Sequence, residues 1–175
     1  YSGDQIHLDG EYIKISGFSG APIPEKMPPV MIGGGAKRIL GIAGRHADIV
    51  SINFNNSAGK IGPEGVGSGT SAGTLQKLEW IEAGAGDRFS EIEIEIAAYF
   101  TVVTDHSDVV ANEFAKLFNL SSSEILDHPH CLIGQTSEII ERIQQRREEF
   151  GINYITFGGA AIDDVAPIVE ALSGT

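Results

Sequence analysis

The feature that most restricts how this chain can fold is an alternation. Short, largely apolar runs hand over, through glycine or polar residues, to segments of helical period. Pro29-Val-Met-Ile-Gly33, Ala47-Asp-Ile-Val-Ser-Ile-Asn53 and Ile152-Asn-Tyr-Ile-Thr-Phe157 are too short for helices. Continuous apolar character in the first predicts a strand buried on both faces; the second reads as another short buried strand and the third as a strand. After the first comes Ala36–His46, with Ile39, Leu40, Ile42 and Ala43 on one helical face. Its two glycines weaken the helix but allow close packing on a sheet. Before the third, Thr136 or Ser137 caps an amphipathic helix through Phe150, apolar at Ile139, Ile140 and Ile143, which Gly151 stops at the usual C′ position. Ile162–Leu172 is the last helix.

The remaining segments fit the same scheme. Gln5–Ser16 alternates on both sides of Asp9-Gly10, which predicts a hairpin with a type I′ turn. A Gly/Pro-rich connector completes residues 1–28. Residues 54–72 form a Gly/Ser-rich insertion loop without periodicity, functional or mobile. A helix is expected over Thr74–Ala83, with Leu75, Leu78 and Ile81 at helical spacing and Trp80 beside them. Ile92–Thr104 reads as one strand, alternating at first, so Glu93 and Glu95 are expected to face solvent. Asp105–Asp108 offers caps for a helix over Val109–Phe118, and Ser121–Leu126 is a shorter helical turn. The order is hairpin, then about four β/α units, which implies a parallel sheet with helices packed outside. An eight-unit barrel takes about 250 residues, so this chain could supply half of one. A small open α/β sheet fits the pattern equally well.

Charge and cysteine usage exclude several classes of function. Of 175 residues, 24 are acidic and 12 basic, a net charge of −12 that repels phosphate backbones, and no basic stripe interleaved with aromatics appears. No nucleic-acid partner is expected, nor a membrane one, since no apolar run approaches the ~20 residues of a span. The start, Tyr-Ser-Gly-Asp-Gln, has neither a leader's features nor an initiator Met, so the chain is expected to come from something longer. Cys131 is the only cysteine, which fits a reducing, cytoplasmic compartment and excludes a zinc cluster. It is expected to be an inert, packed thiol. His128 and His130 flank Pro129; as metal ligands they lack a third partner, and a structural or capping role is expected. No convincing acid/base pair can be read from the sequence.

The segment with chemical content is Gly33-Gly34-Gly35, where a buried strand meets a helix. Glycines there allow positive φ and let backbone approach a ligand closely. Amide N–H groups and the helix N-terminus would then form an anion site, with Lys37 and Arg38 adding charge. The pattern suits one terminal phosphate; it is neither a nucleotide P-loop nor a dinucleotide fingerprint. A glycine-rich turn that merely packs remains the alternative.

Pro28-Pro-Val-Met-Ile-Gly-Gly-Gly-Ala-Lys-Arg-Ile-Leu40 followed by Ala43-Gly-Arg-His-Ala-Asp-Ile-Val50 resembles the luciferase-like flavin monooxygenase superfamily. Within it, the segment is most similar to the actinobacterial deazaflavin-dependent oxidoreductase branch. Ala83–Ile94, Asp127–Gly134 and Arg146–Ile155 each resemble family segments in the expected order, as does the opening hairpin with Asp9-Gly-Glu-Tyr-Ile13. The resemblance implies a single partial domain over 1–175: the C-terminal half, strands five to eight, of a (β/α)8 TIM barrel, preceded by a β-hairpin. It implies an FMN or deazaflavin (coenzyme F420) cofactor whose phosphate is gripped by Gly33, Gly34, Gly35 and Ala36, with Lys37 and Arg38 as helpers. Asn53 to Ser57 and Gly158-Gly159 would open onto the same barrel face. It further implies an oxidoreductase or monooxygenase acting on a small-molecule substrate, with the missing N-terminal half or a second copy as partner. Much of the active site would lie in that missing half, so a non-catalytic half-barrel serving structure or oligomerisation is the alternative.

Overall fold

The computed structural model describes residues 3–57 and 59–174. In chain order it runs β1 (Ile6–Asp9), β2 (Lys14–Phe18), β3 (Met31–Gly34), α1 (Lys37–His46), β4 (Ile49–Ile52), α2 (Pro63–Gly67) and α3 (Ser71–Ala85). A 3₁₀ turn over Gly86–Glu91 leads to β5 (Glu93–Ala98), β6 (Phe100–Val103), α4 (Ser107–Phe118), α5 (Ser122–Asp127), β7 (Cys131–Gly134), α6 (Thr136–Phe150), β8 (Ile152–Phe157) and α7 (Ile162–Leu172). The central sheet is parallel, in the order β3-β4-β5-β8, so β3 and β8 are its edges. The result is the expected mixed α/β arrangement. No helix among the described residues is long and apolar enough to cross a membrane.

Strand register divides the sheet into two unlike faces, because side chains alternate along a strand. Val50, Ile52, Ile94 and Ile96 pack with Leu40 and Ala43 of α1 and Ile81 of α3 into one core. The helix pair behind them closes through glycine. A Cβ on Gly44 would lie 2.3 Å from the Ile81 carbonyl oxygen, and one on Gly84 would lie 2.4 Å from that of Gly41. The glycines of α1 therefore admit a neighbouring helix, α3, rather than the sheet as expected. The other face carries two registered rows, Met31-Ile49-Glu93 and Gly33-Ser51-Glu95-Tyr154. Met31 and Tyr154 there are 45% and 41% exposed.

Several boundaries depart from the sequence reading for identifiable reasons. The hairpin forms, but Asp9 pairs with Lys14, leaving a four-residue connection with a Gly10 N–H to Ile13 carbonyl bond of 3.0 Å rather than a tight I′ turn. An exposed Lys14–Asp9 ion pair at 3.1 Å sits at its neck. The insertion loop contains α2, and α3 begins at Ser71 because the Thr70 side chain accepts from the Gly73 N–H as its cap. The buried stripe of α3 is Thr74, Lys77 and Ile81; Leu75 is 47% exposed. The strand expected over Ile92–Thr104 breaks at Tyr99, whose N–H turns back to the Ala97 carbonyl at 3.0 Å. Beyond the break, β6 leaves the main sheet and pairs in parallel with β7, a strand the apolar pattern did not reveal.

The approach to β7 depends on one cation. Arg146 of α6 is 3% exposed. Its Nη1 donates to the Pro129 carbonyl at 3.0 Å, and its Nη2 to those of His128 and Cys131 at 2.8 and 2.9 Å. Burial, and to a lesser degree Arg142, pulls its pKa down to about 9, so it stays charged at neutral pH. Removing the guanidinium strands buried carbonyls without donors. Arg146→Met is expected to cost about 3–5 kcal/mol in urea denaturation, whereas Glu141→Gln on the exposed face of the same helix should stay within about 0.5 kcal/mol.

Candidate functional site

The glycine turn after β3 is shaped by close approach. None of Gly33, Gly34 and Gly35 has positive φ, contrary to the conformational reading of the sequence. Each instead faces a neighbour too close for a side chain. A Cβ on Gly33 would lie 2.9 Å from Asn53 Nδ2, and one on Gly34 would lie 2.5 Å from Ile39 Cγ2. On Gly35 it would lie 2.1 Å from the Phe54 carbonyl oxygen and 2.7 Å from that of Asn53. The turn after β3 and the turn after β4 thus touch backbone to backbone. Immediately beyond, α1 starts at Lys37 with Ala36 as its N-cap, no side-chain cap and no acidic residue in its first turn. Ala36, Lys37 and Arg38 are exposed.

Asn53 is the hub of this end of the sheet. Its N–H donates to the Gly34 carbonyl at 2.9 Å, tying the two turns together. Its Nδ2 donates to Ser51 Oγ at 3.2 Å, and its Oδ1 accepts from the Tyr99 hydroxyl at 2.6 Å. Its carbonyl oxygen accepts from Lys77 Nζ at 2.8 Å. Asn53 was expected to line the site. It lies against the glycine turn, with its amide spent on internal bonds. Gly158-Gly159 joins the same cluster: the Gly158 N–H donates to the Ala98 carbonyl at 3.0 Å, and a Cβ on Gly159 would lie 3.2 Å from the Tyr99 carbonyl oxygen. Asn55 to Ser57 lies farther out, exposed, with the Asn55 N–H donating to Ser68 Oγ at 2.8 Å.

Three further groups were missed or misread in the sequence. Glu93 is exposed as expected, but Glu95 is only 3% exposed, and its Oε2 has no hydrogen-bond partner. It occupies the row Gly33-Ser51-Glu95, and a central strand leaves a mid-strand side chain no route to water. Burial, reinforced by the Glu95 charge, raises the pKa of Tyr99 above its ordinary value. Lys77 is 2% exposed, and burial lowers its pKa to about 8. A lysine on an amphipathic helix reads as solvated; only its place three residues after Thr74 and four before Ile81 hinted otherwise.

Behind Asn53 lies an aromatic wall. Phe54 packs on Tyr99, His128 and His130, with ring centroids 5.1, 5.9 and 4.4 Å away. His128 Nε2 is 2.9 Å from the Val66 carbonyl oxygen and His130 Nδ1 2.8 Å from that of Ala97, so each ring donates to a carbonyl. Burial takes their pKa values down to about 4 and about 3, and both are neutral at physiological pH. These contacts support the structural role expected for the pair. Cys131 is fully buried, and burial pushes its thiol up to about 12, so it remains protonated.

No family model and no curated protein matches the chain. Solved structures do match its fold. An F420-dependent secondary alcohol dehydrogenase in complex with an F420-acetone adduct has a TM-score of 0.64 at 16% identity, over 98% of this chain and 56% of that one. The coenzyme F420-dependent tetrahydromethanopterin reductase from Methanopyrus kandleri has a TM-score of 0.61 at 16% identity, over 98% and 58%. A long-chain alkane monooxygenase, LadA, has a TM-score of 0.61 at 15% identity, over 95% and 45%. The chain thus spans about half the length of these structures and shares their fold over that length.

The glycine contacts predict a graded response to substitution. Gly35→Ala drives a methyl into backbone atoms of Phe54 and is expected to cost about 2–3 kcal/mol or more. Gly33→Ala meets only the movable end of the Asn53 side chain and should cost about 1 kcal/mol or less. Urea denaturation of the two variants measures the difference; equal costs would mean that the turns do not touch.

Proposed function

We propose that this chain is the cofactor-phosphate-binding part of a flavin- or deazaflavin-dependent oxidoreductase, built as strands five to eight of a (β/α)8 barrel. The observation that carries the reading is the start of α1. Its uncapped N–H groups, without an acidic neighbour, lie at the carboxyl end of an edge strand of a parallel sheet. Ligands bind at that end in such sheets. A phosphate monoester fits the donors present. The N–H groups of the first turn would donate to it, Gly33 to Ala36 would leave room for it, and Lys37 and Arg38 would face it from the surface. When bound, such a cofactor supplies two-electron hydride chemistry, and the protein binds, orients and shields it. The solved structures that share the fold include F420-dependent enzymes and monooxygenases, which supports either deazaflavin or FMN. Substrate would be a small molecule held largely by residues outside this chain.

The sheet supports the barrel half of the proposal. Parallel sheets are covered on both faces. Here one face bears helices, while Met31 and Tyr154 stand exposed on the other. Both edges, β3 and β8, are open, and an apolar groove lined by Tyr154, Phe157, Ile168, Val169 and Leu172 runs beside β8. The complementary half of a barrel would close edges and face together. A second reading, a non-catalytic half-barrel used for assembly, draws on the same open surfaces and on the chain spanning about half of the structures it matches.

Titration separates the readings. The chain is expected to bind FMN or F420 with micromolar affinity, and to bind riboflavin, which lacks the phosphate, at least tenfold more weakly. Absorbance or fluorescence of the cofactor reports both. Binding of FMN and of F420 no tighter than millimolar would remove the oxidoreductase reading and leave the assembly reading. For either, exposed edges predict self-association in light scattering. A strictly monomeric species that unfolds cooperatively in calorimetry would mean that the sheet is complete without a partner.

A further inference from the structure

Lys77 is the buried charge nearest the glycine turn whose purpose the fold does not explain. Its ammonium donates to the Asn53 carbonyl at 2.8 Å, and it has no carboxylate within ion-pair distance among the described residues. Placing a cation in a protein interior without an anion is costly. Ala or Leu at the same point of α3 would cover the sheet more cheaply. The carbonyl that it holds is the one a Cβ on Gly35 would approach to 2.7 Å, and Gly35 precedes Ala36, the N-cap of α1. The N–H of the same Asn53 donates to Gly34. The lysine therefore braces, from behind, the backbone contact that sets the turn after β3.

We propose that Lys77 is a charge-bearing positioning residue for the phosphate: through Asn53 it fixes the glycine turn, and its unpaired positive charge favours a phosphate monoester at the start of α1. The inference rests on the cofactor reading above and adds to it the source of the charge. Lys37 and Arg38 are exposed, where water and salt weaken their attraction. A buried charge acts through protein of lower dielectric and keeps its reach. The titratable and charged groups disposed around Lys77 are His128 and His130, both neutral, behind them Arg146 of α6, which remains charged, and, across Asn53, Tyr99 and the buried Glu95, whose carboxylate makes no ion pair with Lys77. None of these is ion-paired with Lys77, so an arriving anion would supply the partner it lacks.

The charge has a testable pH signature. Burial lowers the pKa of Lys77 to about 8, so its charge is present at pH 7 and lost above pH 9. The phosphate monoester of FMN, with its second pKa near 6, is already a dianion throughout that interval, whereas the phosphodiester of F420 carries a single charge. Anion affinity should therefore fall as pH rises through about 8. Fold stability moves oppositely: the unfolded chain binds more protons between about 8 and 10.5, so the Lys77 contribution to stability improves with pH there. Weaker binding at pH 9.5 is thus not a sign of unfolding.

The experiment titrates FMN, F420 and riboflavin into the 175-residue chain at pH 7.0 and 9.5. Wild type is expected to lose roughly tenfold in affinity for FMN on going to pH 9.5, and less for F420, with riboflavin binding unchanged. Lys77→Met should bind FMN roughly tenfold more weakly at pH 7.0 and lose the pH dependence. Lys77→Arg, charged at both pH values, should retain the affinity at pH 9.5 that wild type loses. If Lys77→Met discriminates FMN from riboflavin as well as wild type does, the Lys77 assignment fails while the cofactor reading stands. If wild type binds neither phosphate-bearing cofactor, both fail. Should the variants not fold, a wild-type affinity constant between the two pH values is enough to overturn the assignment.

Discussion

The contact of the Asn53–Phe54 backbone with Gly35 governs this end of the molecule. It is a steric fact first, because no side chain fits between the two turns. It becomes a polar fact through Asn53, whose N–H, carbonyl and amide are all bonded, to Gly34, Lys77, Ser51 and Tyr99. Four elements, β3, β4, α3 and the end of β5, therefore share one residue as a fixed point. Phe54, next in sequence, carries the constraint onward to the loop before β7 through its packing on His128 and His130. Arg146 holds that loop from the other side by its own carbonyl bonds. A disturbance at Gly35 would thus be felt as far as α6.

The same arrangement explains why the glycines are needed while none bends the chain. Reading Gly33-Gly34-Gly35 as a conformational device and reading it as a space-saving device give the same sequence. The coordinates separate them: φ is ordinary at all three, and every would-be Cβ is obstructed. Close packing of the turn and anion binding are compatible, since the obstruction lies toward β4 while the first turn of α1 is exposed. The two readings that stood as alternatives in the sequence therefore do not exclude one another.

Much of the fold was legible because it depends on periodicity. The segments Ala36–His46, Thr136–Phe150, Ile152–Phe157 and Ile162–Leu172 fall within a residue or two of the helices and strand observed. What was not legible depends on tertiary context. The break at Tyr99 is made by a local turn inside an apolar run, and β7 is four residues whose strand character follows from pairing with β6. Glu95 alternates with isoleucines like any half-exposed strand residue, and only the row it shares with Gly33 and Ser51 buries it. Lys77 was hidden by a sound rule, that lysines on helices are solvated. The candidate turn was found from its glycines and Asn53 was named beside it, but the bonds of Asn53 to Gly34, Lys77, Ser51 and Tyr99 were not foreseen, because they depend on tertiary neighbours that no sequence pattern distinguishes.

The net charge of −12 takes on a different meaning once burial is known. It argues against anionic polymers, whose long contact surfaces average over many exposed carboxylates. A single phosphate held in a turn samples something more local. The surface acids lie in water, where salt screens them within about 10 Å. Lys77 and Arg146 lie inside, 2% and 3% exposed, with their nitrogens on carbonyl oxygens rather than on carboxylates. Carbonyls satisfy the hydrogen bonds of a cation without cancelling its charge. Behind the acidic exterior, two buried cations therefore stand, among the described residues, with a single buried carboxylate, Glu95, and with none of the ion pairing that would cancel them. The overall charge is therefore no argument against a small anion at the start of α1, whose affinity would depend on these buried groups.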